Sequence, residues 1–523
     1  MTKAHGCVAL NRIMKRTCLL VLTLVVGFAL AASAQLKVAA LFSDNMVLQQ
    51  GMPVAVWGWA NEGDVVTVKF RGQSVSAKTR DSKWMVKLRA LKVGDPGTLS
   101  ITTIWHSLAF TNVLVGEVWI CSGQSNMEWP LTRSYEPQAD IAASANPNIR
   151  LFTVPKLKAK DLVPDVKSTW VECNPQTTPG FSAVAYYFGR ELQKTRNVPI
   201  GLIHTSWGGS PAEVWMSERF LSANPEYQRD ILEKYQTDYR IYQAALEKFN
   251  QETEALKKQG QTQTKKAPGG PYWKPTELYN GMIAPLLPYA IRGAIWYQGE
   301  SNAGRAEQYR RLFADMIRNW RQDWGQGNFT FLAVQLAPWD KNKKRSLEQI
   351  SEKPEESDWA ELREAQGVST KVLPKVGVAV ITDVGDKDDI HPTKKAPVGA
   401  RLALAARGIA YGEKIEFSGP LYKSMKVKGD KAILSFVHAK SGLEARGGEL
   451  TGFAVCGEDR KFVWAKSEIQ GSKVVVSSPA VAKPVAVRYG WSDNPVVNLW
   501  NQAGLPASPF RTDDFPMITA GKK

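Results

Sequence analysis

Between residues 113 and 412 of this chain, apolar runs with the character of strands alternate with stretches of helical character. The run 113–120 is rich in β-branched and aromatic residues, whereas residues 183–194 and 309–320 carry a helical pattern. Such alternation is typical of a parallel sheet whose strands are joined by crossover helices. The sequence therefore predicts an α/β domain, and open sheets of this kind bind ligands beyond the carboxyl ends of their strands.

The segments on either side of this domain have β character instead. Residues 35–112 and 413–523 contain short apolar runs separated by Gly, Asn and Asp turns, which predicts a β-sandwich domain at each end. Within the α/β domain, residues 221–278 are rich in Glu, Lys and Gln and include Pro-Gly-Gly-Pro. This composition favours a helical insertion on the surface.

A polar turn follows the first strand of the α/β domain. Residues 121–128 read Cys-Ser-Gly-Gln-Ser-Asn-Met-Glu, where small residues permit a sharp turn that exposes the hydroxyl of Ser125. Met127 stands where the nucleophile elbow of α/β-hydrolases has its second glycine, so a different hydrolase scaffold is expected. The structural alternative is an ordinary strand-to-helix turn with Ser125 as the N-cap.

A second polar turn contains a base. The strand-like run 376–382 precedes Asp388-Asp389-Ile-His391, in which either carboxylate is close enough in sequence to accept the imidazole N–H. Few other histidines follow the first 34 residues. Ser125 and His391 are therefore the predicted nucleophile and base of a serine esterase. A calcium-binding loop is the alternative for the aspartate cluster.

Two further strand-like runs also end in polar turns. The first of these turns contains Gly208 and Gly209, and the second contains Asn302. Acyl transfer needs preorganised hydrogen-bond donors around the oxygen on which negative charge develops. We expect the Asn302 amide, the N–H of Gly209 or of Gly208 beside it, and the N–H of Ser125 to form this oxyanion site.

Four motifs in these turns together resemble the sialate O-acetylesterase family of SGNH hydrolases. They are Gly-Gln-Ser-Asn-Met at 123–127, Trp-Gly-Gly-Ser-Pro-Ala-Glu-Val-Trp at 207–215, Trp-Tyr-Gln-Gly-Glu-Ser-Asn at 296–302 and Asp-Ile-His-Pro at 389–392. A match over 41–59 extends the resemblance to nearly all of the chain after residue 34. The resemblance implies a flavodoxin-like SGNH domain and removal of O-acetyl groups from sialic acid, of the 9-O-acetyl type, through an acyl-enzyme.

The same resemblance assigns roles to single residues. It makes Ser125 the nucleophile, His391 the base, and Gly209 and Asn302 the oxyanion partners. Acetylated xylan or another polysaccharide is the alternative substrate. A glycan-binding protein without catalysis is the alternative from another functional class, although the intact Ser, Asn and His residues speak against it.

The acid that orients the histidine stays open. SGNH enzymes usually carry it three residues before the histidine, at Asp388, whereas the Asp-Ile-His-Pro string favours Asp389. Related acetyl esterases use the glutamate of a Gln-Gly-Glu segment, which is Glu300 here. All three carboxylates are candidates for the catalytic acid.

Residues next to the four turns are candidates for contacting the sugar. Indole rings offer flat apolar faces to sugar rings, and a core role is the alternative for each tryptophan. The substrate-binding candidates are Gln124, Trp207, Trp296 and Gln298.

The first 34 residues have a basic start, an apolar stretch and a small-residue cleavage site, which predicts a secretory signal peptide. We therefore expect an exported protein, periplasmic or extracellular. No later run is long enough to span a membrane. The oligomeric state is left open by the sequence.

The formal net charge of +17 is partly due to the predicted signal peptide, because four basic residues and no acidic ones lie there. The remaining basic surface favours acidic glycans as partners. Nucleic acid is not expected, since the Lys and Arg residues are scattered and no nucleic-acid-binding motif is present. No metal or organic cofactor is implied, and Cys121, Cys173 and Cys456 are expected to be buried thiols.

Overall fold

The computed structural model describes residues 36–342 and 345–523, so the predicted signal peptide lies outside the described residues. Contacts between residues divide the chain into two units. The described part of the first comprises residues 36–39, 56–87 and 99–109, and the second comprises the other described residues. The domain boundaries given above stay predictions.

The amino-terminal region is built from short strands. They are β1 Lys37–Val38, β2 Val47–Gln49, β3 Val54–Trp59, β4 Val65–Phe70, β5 Gln73–Lys78, β6 Lys83–Leu88 and β7 Gly97–Thr102. Strands β1, β3 and β6 form one sheet, and β4 pairs antiparallel with β5 and β7. In β6 buried and exposed side chains alternate, since successive side chains of a strand point to opposite faces.

A largely parallel sheet forms the centre of the second unit, as the sequence predicts. Its strands are β8 Ser107–Gly123, β9 Asn146–Thr153, β10 Val171–Cys173, β11 Ile200–Ser206, β12 Gly293–Tyr297, β13 Thr330–Val334 and β14 Val376–Ala379. They follow the order β10-β9-β11-β8-β12-β13-β14. Every neighbouring pair is parallel except β10 with β9 at the edge.

Helices connect these strands. The α-helices are α1 Ser125–Glu128, α2 Pro137–Ala142, α3 Ala183–Arg196, α4 Glu218–Ser222, α5 Pro225–Tyr227, α6 Lys234–Lys258, α7 Ala306–Trp324, α8 Leu347–Ile350, α9 Asp358–Val372 and α10 Ala396–Ile409. Shorter 3-10 turns include Leu131–Arg133, Ala212–Trp215 and Glu300–Arg305. Helix α6 has no buried residue, which fits the charged composition of the predicted insertion.

Both faces of the central sheet are covered, and β12 shows this most clearly. Ile295 and Tyr297 belong to the hydrophobic core that includes residues of α3 and α10. Trp296 lies between them in sequence and points to the other face, where its ring meets Trp320 of α7 edge to face at 5.7 Å. Coverage on both faces explains why all five residues of β12 are buried.

The carboxyl-terminal region returns to β structure. Its strands are β15 Leu421–Lys428, β16 Lys431–Val437, β17 Leu443–Ala445, β18 Phe453–Cys456, β19 Val463–Trp464, β20 Lys466–Gln470, β21 Lys473–Ser477, β22 Ala486–Tyr489, β23 Leu499–Asn501 and β24 Phe510–Arg511. Two four-stranded antiparallel sheets, β15-β16-β21-β20 and β19-β18-β22-β24, contribute side chains to one hydrophobic core. That the flanking regions are β-sandwich domains stays a prediction. None of the helices in residues 36–342 and 345–523 is apolar over a length that would cross a bilayer.

Candidate active site

Three strands of the central sheet end at the same level. Gly123, the last residue of β8, stands in register with Ser206 of β11 and with Tyr297 of β12. Because the strands are parallel, the turns that follow them leave the sheet at one edge. The structure thus brings together three of the four polar turns that the sequence singles out.

The nucleophile turn depends on a glycine at the end of β8. Gly123 has φ +140°, and a Cβ at this position would lie 2.1 Å from the carbonyl oxygen of Tyr297. Gln124 follows as the N-cap of α1 and Ser125 is the first residue of that helix, so Ser125 is not the N-cap. At this position the Ser125 N–H has no carbonyl partner within the helix. The residue is only partly buried.

The fourth turn places a histidine on this hydroxyl. The Nε2 atom of His391 lies 2.8 Å from Oγ of Ser125. The indole of Trp129 stacks on the imidazole, with ring centroids 5.3 Å apart and an interplanar angle of 16°. A hydrogen bond at one ring nitrogen and an aromatic ring on one face together hold the histidine in a defined orientation toward the serine.

Electrostatics keep this imidazole neutral near pH 7. Burial lowers the pKa of His391 below its usual value of 6.5. The carboxylate of Asp389 opposes this effect, whereas the cations Lys395 and Arg133 add to it. A neutral imidazole can accept the hydroxyl proton of Ser125, as a general base must.

The three candidate acids lie in different environments. Asp389 is beside the base, because its Oδ1 lies 3.5 Å from Nδ1 of His391 and accepts the backbone N–H of the same residue at 2.8 Å. The carboxylate of Asp388 is exposed and pairs with Lys387. Of the three, Asp389 has the geometry to orient the imidazole.

Glu300 is partly buried, and its carboxylate bonds to a residue other than His391. Its Oε1 accepts a hydrogen bond of 2.7 Å from Nδ2 of Asn126, and its Oε2 has no hydrogen-bond partner among the described residues. Burial raises the pKa of this carboxyl above its usual range. Glu300 therefore contacts the residue that follows the nucleophile, and not the histidine.

The two glycines of the β11 turn differ in what their N–H groups do. The Gly208 N–H donates to Oε2 of Glu128 at 2.7 Å. Gly209 is exposed with φ +74°, and its N–H makes no hydrogen bond within the described residues. Gly209 rather than Gly208 thus has a donor available for an oxyanion.

Asn302 is buried in a network of polar side chains. Its Oδ1 accepts from the Ala212 N–H at 2.9 Å and from Nε2 of Gln298 at 2.7 Å. Its Nδ2 donates to Oε2 of Glu213 at 3.0 Å, and Glu213 is ion-paired with Arg305. The network leaves one amide hydrogen of Asn302 without a protein acceptor in the described part of the chain.

The predicted sugar-contacting residues fall into two groups. Gln124, Gln298 and Trp296 are buried. The Oε1 atom of Gln124 accepts the N–H groups of Gly299 and Ser301, at 3.3 and 3.4 Å, and so braces the nucleophile turn against the β12 turn. At most 3% of the surface of each of these residues is exposed, so that their contact with a sugar stays a prediction.

Trp207 belongs to the other group, because part of its ring is exposed. It meets Trp273 edge to face at 5.6 Å, and the ammonium groups of Lys156 and Lys158 lie 5.4 and 5.9 Å from its ring. Trp207 directly precedes Gly208 and Gly209 in the β11 turn, so it belongs to the turn that carries the predicted oxyanion donor.

The other histidines and the cysteines stand apart from this chemistry. His204 is buried against Phe181, and burial lowers its pKa to about 4. His438 pairs with Glu416 in the carboxyl-terminal region, a partner that is not its neighbour in sequence. Cys121, Cys173 and Cys456 are free and buried, as expected. Within the described ranges no cluster of three or more His, Cys, Asp or Glu residues has the arrangement of a metal site.

Sequence reasoning missed three residues at this site. Asn126 bonds both Glu300 and the carbonyl of Ile390, and Lys395 donates to the other side of its amide. Arg133 lies over the indole of Trp129, 3.9 Å from the ring centroid. Asn126 could have been singled out from the sequence, because it directly follows Ser125 in the motif. Lys395 depends on a contact between separate segments, whereas Arg133 contacts Trp129 four residues before it.

Comparisons with known proteins agree on a family. The model of the family described as carbohydrate esterase, sialic acid-specific acetylesterase, matches residues 115–266 and 259–407. The sialate O-acetylesterases of Pongo abelii and of human are each 29% identical over 94% of this chain and 95% of their own length. The mouse sialate O-acetylesterase is 28% identical over 94% of this chain and 97% of its length.

A solved structure is also similar. A carbohydrate acetylesterase from Xanthomonas citri shares 38% sequence identity with this chain, and its crystal structure superposes with a TM-score of 0.78. The match covers 92% of this chain and 100% of the other. The likeness therefore extends over the regions before and after the central sheet.

Proposed function

The chain belongs to the sialic acid-specific acetylesterase family of carbohydrate esterases, and we propose that it removes O-acetyl groups from sialic acid, of the 9-O-acetyl type, by a serine mechanism. The observation that carries the mechanism is the distance of 2.8 Å between Nε2 of His391 and Oγ of Ser125. Such a pair, with a carboxylate at the other imidazole nitrogen, is the arrangement that activates a serine hydroxyl.

The first half of the reaction forms an acetyl-enzyme. Oγ of Ser125 attacks the carbonyl carbon of the acetyl ester, while Nε2 of His391 takes the hydroxyl proton. Negative charge moves to the carbonyl oxygen, which the N–H groups of Ser125 and Gly209 and the Asn302 amide stabilise. Asp389, 3.5 Å from Nδ1, stabilises the imidazolium that results.

The second half releases acetate. The tetrahedral intermediate collapses, the bond between the carbonyl carbon and the sugar oxygen breaks, and His391 returns its proton to that oxygen. A water molecule then attacks the acetyl carbon with His391 again as base, and acetate leaves as Ser125 regains its proton. Both halves use the same three side chains, Ser125, His391 and Asp389.

The proposed substrate is an acidic glycan outside the cytoplasm. Removal of the predicted signal peptide takes four basic residues from the formal charge of +17, and the remaining chain, at 17 − 4 = +13, supports an anionic substrate because a basic surface attracts one over a distance. The partly exposed indole of Trp207 offers a face for a sugar ring next to Gly209. Export through the predicted signal peptide is part of this proposal.

A panel of substrates tests the proposal. Acetate release by the purified protein is measured on 9-O-acetyl-N-acetylneuraminic acid, acetylated xylan and an aryl acetate, with the Ser125→Ala variant beside it. We expect the highest kcat/KM among the glycans on the sialic acid and loss of every activity in the variant. Faster release from xylan would assign the enzyme to polysaccharides, and no release from either glycan would contradict the proposed function.

A further inference from the structure

Two segments meet beside the histidine and form one rim of the site. The segment 129–135 leaves the nucleophile helix, and the segment 391–395 follows the base. The backbone N–H of Tyr135 donates to the carbonyl of Thr393 at 2.9 Å, which joins the two segments. The rim therefore has a fixed position relative to the imidazole of His391.

Exposed cations stand on this rim. The guanidinium of Arg133 lies 3.9 Å from the ring centroid of Trp129, the same ring that stacks on His391. The ammonium of Lys394 lies 5.7 Å from the ring of Tyr135, which is 54% exposed. Neither cation forms an ion pair with a carboxylate in the part of the chain that the structure describes.

The basic side chains next to Trp207 are different, because they already have acidic partners. Lys156 is ion-paired with Glu128 at 2.6 Å, and Lys158 is ion-paired with Glu277 at 3.2 Å. A substrate carboxylate would have to compete with these side chains for each lysine. The charges of Arg133 and Lys394 are not compensated in this way.

Arg133 is close enough to His391 for its charge to affect the imidazole. Its charge acts on the imidazole, since Arg133 is one of the cations that lower the pKa of His391. The acid directly after this segment, Glu136, interacts with the phenol of Tyr135 and raises its pKa. Arg133 and His391 therefore both contact the indole of Trp129, which places the guanidinium close to the predicted catalytic pair.

We propose that Arg133 and Lys394, on the rim beside His391, bind the carboxylate of an acidic sugar while its acetyl ester lies at Ser125. This inference rests on the proposed function and makes it more specific. In sialic acid the carboxylate is at the opposite end of the molecule from the acetylated glycerol side chain, so its binding group cannot be at the Ser–His pair itself. A planar guanidinium held on an aromatic ring is suited to a carboxylate, because less side-chain freedom is lost when the two bond.

Competitive inhibition tests this carboxylate site. The inhibition constants of N-acetylneuraminate, glucuronate and the uncharged sugar N-acetylmannosamine are measured against hydrolysis of an aryl acetate, for wild type and for Arg133→Gln and Lys394→Gln. We expect at least one acidic sugar to compete, with an inhibition constant that rises about five- to tenfold in Arg133→Gln and less in Lys394→Gln. Raised salt should weaken the same inhibitor in the wild type.

A control variant separates this effect from a change in overall charge. Lys426→Gln removes an exposed cation from β15 and should leave all three inhibition constants unchanged. The proposal is overturned if neither acidic sugar competes with the aryl acetate. It is also overturned if Arg133→Gln leaves the inhibition constants of the acidic sugars unchanged, or if the substitution raises the inhibition constant of N-acetylmannosamine by the same factor. Acetate release from the O-acetylated sialic acid is scored separately, so that failure of the proposed function is distinct from failure of this site.

Discussion

The Nζ atom of Lys395 donates a hydrogen bond of 2.5 Å to Oδ1 of Asn126. The lysine is buried, with 1% of its surface exposed. Asn126 donates in turn to Oε1 of Glu300 at 2.7 Å and to the carbonyl of Ile390 at 3.0 Å. One carboxamide therefore joins the turn of Ser125 to the loop that carries His391, and the buried Lys395 side chain holds that carboxamide in place.

Lys395 should make the stability of the protein depend on pH. Burial lowers its pKa from 10.5 to about 7. Between these values the unfolded chain binds more protons than the folded one, so the free energy of unfolding contributed by this group rises with pH. Compared with Lys395→Met, the wild type should gain about 3 kcal/mol in free energy of unfolding between pH 6 and pH 9.

Urea denaturation of both proteins at several pH values gives this difference. The exposed neighbour supplies the control, since Lys394→Met removes a cation from the same segment and leaves the buried one in place. A Lys395→Met difference that does not change with pH would show that the buried lysine keeps an ordinary pKa.

Much of the site could be predicted because the local pattern and the sheet topology act together. Strand-like runs that end in Ser125 and Gly209 turns must meet if the sheet is parallel, and β8, β11 and β12 do end in register. Trp296 could have been placed as well, because alternation along β12 puts its side chain on the face opposite Ile295 and Tyr297. Trp296 was a candidate for contact with a sugar only because it lies next to a polar turn in the sequence.

Other features depended on three-dimensional contacts that sequence spacing does not fix. Asp388 and Asp389 are both close to His391 in sequence, and the conformation of the turn determines which carboxylate lies beside the imidazole. Asp386 Oδ1 accepts the N–H groups of both residues, at 2.9 and 3.3 Å, and in this turn Asp389 is the one beside the imidazole. Lys395 bonds Asn126 and the charge of Arg133 acts on His391, and in each case the two residues lie on different segments of the chain, so no local motif indicates the pairing.

The three candidate acids should differ in how much kcat falls when each carboxylate is replaced by the neutral amide. Asp389→Asn should lower kcat by about 10²-fold, because the imidazolium loses its partner and the imidazole its orientation. Asp388→Asn should stay within about twofold, since its exposed carboxylate pairs with Lys387. Initial rates on an aryl acetate compare them. A larger loss in Asp388→Asn would reverse the assignment.

Glu300→Gln should behave differently from both aspartate variants. The glutamine keeps an oxygen that can accept from Asn126 Nδ2, and Glu300 does not contact His391. We expect kcat to fall less than in Asp389→Asn. The two variants are measured side by side. If kcat falls as much in Glu300→Gln as in Asp389→Asn, then Glu300 is the acid on which His391 depends.

The pH profile should follow the charges around the histidine. kcat/KM should fall as the pH decreases through the pKa of His391, which burial holds below 6.5. Because Asp389 raises this pKa and Arg133 lowers it, Asp389→Asn should move the acid limb to lower pH and Arg133→Gln to higher pH. The charge of Lys395 acts in the same direction as that of Arg133.

Rates on an aryl acetate between pH 4 and pH 9 give both profiles, and the Lys426→Gln variant serves as the charge control. Shifts of equal sign in Asp389→Asn and Arg133→Gln would contradict His391 as the group that titrates.

The role of Ser125 as the nucleophile is tested by kcat/KM of Ser125→Ala on an aryl acetate together with the melting temperature of the variant. We expect a loss of about 10⁴-fold or more with a melting temperature within about 2 °C of wild type, because the hydroxyl forms the acyl bond and contributes little to the fold. A correctly folded variant that keeps about a tenth or more of the wild-type rate would contradict this role.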